Sequence, residues 1–198
     1  GIDAAVLAVF FLLMTVMMVA MMLPSALPMV LAYRGLTRLE GGRPVRRADD
    51  VGTALFVLPY FLVWGGFAVT ALLSLVGLGL VDPMTGAMSG PLPYIPAATL
   101  LLAGAWQATR TKEVCLIHCQ SPMGFVMHYW RSGRFGAFRM GMRHAAYCIG
   151  CCWLFMIVLF VAGAMSLAWM GGVSLMIFVE KLGVRPLLVS RAIGVLLI

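Results

Sequence analysis

The sequence predicts an all-α fold: a polytopic transmembrane helical bundle of five to six spans plus one amphipathic interfacial segment. Three observations predict it. The chain is 63% hydrophobic and 11% charged, with a mean hydropathy of +1.02, whereas soluble domains carry about 25% charged residues. Apolar runs approaching the ~20 residues that cross a bilayer recur along it. Its 14 Lys and Arg residues fall in three groups of connecting segments, at 34–47, 110–143 and 181–191. These are alternate loops, so they share one side of the bilayer, and the positive-inside rule makes that side the cytoplasm. The net charge of +7 therefore speaks of membrane orientation, not of nucleic acid.

The elements follow in order within a single membrane domain, 1–198. The first span, about 4–33, descends from outside, and Met14, Met17, Met18, Met21 and Met22 recur on one helical face of it. Pro24 and Pro28 each remove a helix hydrogen bond, so a kink is expected there. Residues 35–50 read as a polar cytoplasmic loop. The second span, about 53–81, returns to the outer loop Asp82–Pro93, which is rich in Gly and Pro and has no basic residue. The third, about 94–109, descends to the segment 110–136, read as a short helix at Val114–Cys119, a break at Ser121-Pro122, an amphipathic piece to Trp130 and a turn at 131–134. Spans at about 141–162 and 166–181 follow, with a turn near Gly163–Ser166, and the apolar run 187–198 starts a sixth. Gly1 and Ile198 are expected to be interior points of a longer chain, and no cleavable signal peptide is evident.

All five cysteines and all three histidines lie between Cys115 and Cys152. His144, Cys148 and Cys152 are spaced by four residues, and Cys151 lies seven beyond His144, so one helical face carries all four, extended by Met140 and Met156. Cys115, His118 and Cys119 share a face in the same way. Arg139 and Arg143 are expected to snorkel to the cytoplasmic surface, which makes the row a ladder of soft ligands leading inward. A reducing cytosol argues against disulfides. Thiolate with imidazole suits copper or zinc, and added thioether tilts the choice toward Cu(I). The candidate ligands are Cys115, His118, Cys119, His144, Cys148, Cys151 and Cys152, with Met21, Met22, His128 and Met156 as auxiliaries. Met22 and Cys152 stand at similar depth below the basic residues if their helices are neighbours. Ordinary helix packing is the competing account of the Met stripe. Glu180 is expected to pair with Lys181 or a loop arginine. The spacing Cys115-x-x-His118-Cys119 is not the haem-attachment order Cys-x-x-Cys-His. No Gly-rich phosphate loop, nucleophile elbow or His-Glu-x-x-His pattern points to an enzyme.

Several blocks together carry a resemblance: Ala20-Met21-Met22-Leu23-Pro24-Ser25; Lys112-Glu113-Val114-Cys115-Leu116-Ile117-His118-Cys119; Gly141-Met142-Arg143-His144; Tyr147-Cys148-Ile149-Gly150-Cys151-Cys152-Trp153; and Trp169-Met170 with Glu180-Lys181. In these the chain resembles a bacterial family of predicted metal-binding integral membrane proteins, a domain of unknown function. The resemblance implies a membrane fold in the bacterial inner membrane and a bound metal, and implies no reaction. Three functions follow as expectations. The first is copper handling, with zinc as the second metal, and delivery to a metalloenzyme client. The second is a structural or assembly role in a larger membrane complex, and the third is a thiol-redox or haem-bearing electron carrier. The expected partners are the lipid bilayer and such a client or complex, with no nucleic acid. A full transport path has little support, since Asp3, Asp82, Met84, Met88 and Met165 are all that the outer half offers.

Overall fold

The computed structural model describes residues 4–40, 43–44, 49–77, 79, 94–163 and 167–198. Among these the chain is helical almost throughout: α1 (Ala4–Leu36), α2 (Asp50–Gly77), α3 (Tyr94–Gln107), α4 (Arg110–Gln120), α5 (Pro122–Tyr129), α6 (Arg134–Gly163), α7 (Leu167–Leu182) and α8 (Pro186–Leu197). The loop after α1 is not wholly irregular. It holds a two-stranded antiparallel ladder, β1 (Leu39–Glu40) with β2 (Arg43–Pro44). The whole outer loop Asp82–Pro93, with Met84 and Met88, lies outside the described residues, as do Asp3 and residues 164–166 with Met165.

The all-helical expectation holds, whereas the span count is narrower than expected. Among the described residues, Asp50–Ala71 of α2 and Arg134–Leu159 of α6 are long and apolar enough to cross a membrane, and three spans result if the two halves of α1 count as one. The reason is length. α3 has 14 residues, α7 has 16 and α8 has 12, each shorter than the ~20 that cross the hydrocarbon core upright. α1 itself bends by 69° between Phe11–Pro24 and Ala26–Leu36. Pro24 lacks the N–H that would bond the carbonyl of residue 20, and its ring collides with that carbonyl.

α6 is the hub, packed by α2, α3, α4 and α7, while α1 lies chiefly on α2, α5 and α7. The α2–α6 crossing is set by Gly141, where a Cβ would stand 2.0 Å from the Phe56 carbonyl oxygen. Only a glycine lets the two backbones come that close. α3 and α8 meet in a similar way at Gly104 and Gly194, where Ser190 Oγ also donates to Gln107 Oε1 at 2.9 Å. The principal core gathers Met18 and Met22 of α1, Tyr60 and Trp64 of α2, Cys119 of α4, Cys148, Cys151, Cys152 and Met156 of α6, and Ile177 of α7. A second core beside it holds Met29, Tyr33, Phe56, Phe125 and Met140.

Candidate metal centre

The spacing on α6 does what helical geometry requires, and His144, Cys148, Cys151 and Cys152 are all buried. The α4 helix lies across them. Thr109 caps it by accepting from the Lys112 N–H, and Ser121-Pro122 ends it, which leaves Cys119 turned into the core. Cys119 Sγ stands 4.0 Å from Cys151 Sγ, and Cys151 Sγ stands 3.1 Å from Cys152 Sγ. Cys151 also donates to the Cys148 carbonyl at 3.2 Å. All five cysteines are free thiols. With metal–sulfur bonds of roughly 2.3 Å, two sulfurs on one ion lie no more than roughly 4.6 Å apart, and the Cys119–Cys151 pair meets that limit.

Charge has been brought to the thiols from two other helices. Lys181 Nζ of α7 donates to Cys148 Sγ at 3.1 Å, and that sulfur lies 3.9 Å from the Tyr60 hydroxyl. Lys112 Nζ of α4 sits 2.9 and 3.0 Å from the two Glu180 carboxylate oxygens, donates to the Cys151 carbonyl at 2.5 Å, and lies over the Phe155 ring. Both side chains of this ion pair are 1% exposed. Glu180 therefore pairs with Lys112, where the sequence pointed to Lys181 or a loop arginine. Lys112 and Lys181, counted in the sequence among solvent-facing basic loop residues, are buried instead because each has an electron-rich partner inside. Gln120 Nε2 completes the joint by donating to the Glu180 carbonyl at 2.8 Å.

The remaining candidates divide by position. Cys115 is half-buried, and its sulfur fills the place a Cβ on Gly150 would need. Burial pushes its thiol above the ordinary range, opposed by the Lys112 ammonium. His144 lies one turn before Cys148 on α6. Its ring lies beside Phe56, Tyr60 and Phe125 at 5.9–6.2 Å between centroids, and neither ring nitrogen has a hydrogen-bond partner among the described residues. Leaving a buried N–H unpaired costs about 1–3 kcal/mol. His118 stacks on Tyr147 at 4.3 Å and 12°. His128 is exposed and meets Tyr129 edge-on. Met22 and Met156 are buried in the cysteine core, Met21 packs on its edge, and the Met14 side chain lies outside the described residues. Among the described residues, no three His, Cys, Asp or Glu side chains stand ready to hold a metal ion. The thiols are gathered with their hydrogen bonds turned on one another, so loading requires deprotonation and rotation of those side chains.

A family model described as PpoB2, copper chaperone, matches residues 11–198. The chain belongs to this copper chaperone family. No curated protein and no solved structure matches it. Membership makes copper the expected cargo and a client metalloprotein the kind of partner to expect.

Sequence reasoning missed Lys112, Lys181 and Tyr60. One signal was available. Lys181 ends an apolar helix beside Glu180, and a charge at such a place is a functional candidate as readily as its neighbour.

Proposed function

We propose that this copper chaperone carries Cu(I) between the Cys119 and Cys151 thiolates, with Cys148 and Cys152 as exchange ligands and Met22 and Met156 as thioether surroundings, and releases it to a client metalloprotein. The observation that carries the reading is the 4.0 Å Sγ–Sγ distance across α4 and α6. Cu(I) is satisfied by two or three soft donors, whereas structural zinc asks for four N/S ligands. Among the described residues no three His, Cys, Asp or Glu side chains stand ready to hold an ion, which favours the monovalent ion. Two thiolates and Cu(I) sum to one negative charge, and the Lys181 ammonium stands where it offsets that charge. The bundle is seated in the bacterial inner membrane, with its N-terminal end outside and its basic loops in the cytoplasm, where thiols stay reduced.

The test is anaerobic Cu(I) loading of the detergent-purified chain, with bound copper counted after desalting. Copper retained by the wild type and lost in Cys119→Ser and Cys151→Ser supports the reading. Unchanged copper in both variants, or equal retention of zinc, overturns it. Membrane seating is checked by retention in the membrane fraction through an alkaline carbonate wash.

A further inference from the structure

We infer that His118 and His128 form a second, outer copper site, which accepts the ion at the surface before the buried thiols take it. The two histidines line one pocket of about 310 Å³ between α4 and α5, with Ile117, Ser121, Phe125 and Tyr129. His118 is prepared as a ligand in a specific way. Its Nδ1 lies 2.8 Å from the Val114 carbonyl oxygen. A carbonyl only accepts, so Nδ1 carries the proton and Nε2 keeps its lone pair for the pocket. A hydrogen bond from the far ring nitrogen to a backbone carbonyl is the usual support of a metal-bound histidine. The ring cannot swing freely, because Tyr147 stacks flat against it. His128, exposed on the facing helix, supplies the second nitrogen.

The pocket is also placed for transfer. His118 adjoins Cys119, and Cys115 stands one turn before it on the same face, packed on Gly150 of α6. An ion held at His118 is thus one residue from Cys119, whose sulfur stands 4.0 Å from that of Cys151. Imidazole is the harder donor and thiolate the softer, so a Cu(I) ion moves down a gradient of affinity from the pocket inward. This direction of transfer rests on the thiol pair being the resident site, but the existence of the histidine site does not.

The experiment has two arms. In the first, the full chain with all five cysteines changed to Ser is titrated anaerobically with Cu(I) in competition with a weak Cu(I) chelator. Copper withdrawn from the chelator, and no longer withdrawn on adding His118→Ala and His128→Ala, is expected; its absence in a folded chain, or its persistence in the histidine variants, overturns the site. In the second arm the thiols are intact, and copper is delivered as the Cu(I)–bicinchoninate complex. The double histidine variant is expected to load roughly tenfold more slowly or worse, yet to reach the wild-type copper content. An unchanged loading rate overturns the acceptor role, and this arm decides alone if the cysteine-free chain does not fold. Failure of the thiol reading looks different, since copper content then survives Cys119→Ser and Cys151→Ser.

Discussion

The Lys181 ammonium stands 3.1 Å from Cys148 Sγ, with both side chains buried. A cation at that distance stabilises a thiolate and any copper–thiolate unit that includes it or lies beside it. Lys181→Met keeps the bulk and removes the charge. Charged hydrogen bonds are worth about 1.5–3 kcal/mol, so Cu(I) affinity is expected to fall by roughly tenfold to a hundredfold. Lys181→Arg should keep part of it. Competition with a Cu(I) chelator measures both, and equal affinity in Lys181→Met would show that the ammonium has no part in holding the ion.

The Lys112–Glu180 pair joins α4 to α7 beneath the thiols. Removing one partner leaves a buried charge with no counter-ion, at a cost of about 3–5 kcal/mol, while replacing both by apolar groups of similar volume is close to neutral. Glu180→Leu and Lys112→Met are each expected to lower the unfolding temperature in detergent, and the double variant to recover much of the loss. Additive losses in the double variant would argue against the pair acting as one unit.

Cys115 offers a pH readout. Its thiol is raised above the ordinary range by burial, so its thiolate fraction at neutral pH is lower than that of a free cysteine. Maleimide labelling follows the thiolate. The rate is expected to climb with pH and to level off only above the pH at which a free cysteine does. Mass spectrometry of the Cys115 peptide after timed labelling checks this, and a plateau at or below the free-cysteine position would contradict it.

The helical content and the proline bend of α1 were legible in the sequence. So was the face His144–Cys148–Cys151–Cys152, since each depends on periodicity or on one residue's covalent geometry. The number of spans was less legible. Hydropathy reports how apolar a run is, whereas the described part of α3 runs for 14 residues and that of α7 for 16. The association of Met22 with the cysteines was expected if their helices were neighbours. It is met in another way: α1 lies chiefly on α2, α5 and α7, and Met18 and Met22 reach the cysteine core from there.

What the sequence determined by itself was the inventory of soft donors and the order in which one helix presents them, because i and i+4 share a face whatever surrounds the helix. Only the tertiary structure decided that Cys119 faces Cys151, that rings from α2 and α5 surround His144, and that Lys112 and Lys181 are drawn inside. Those outcomes depend on how α4 and α7 dock on α6. That docking is set by contacts between residues distant in sequence, such as the approach of Gly141 to Phe56 and the pairing of Lys112 with Glu180, and no local pattern encodes them.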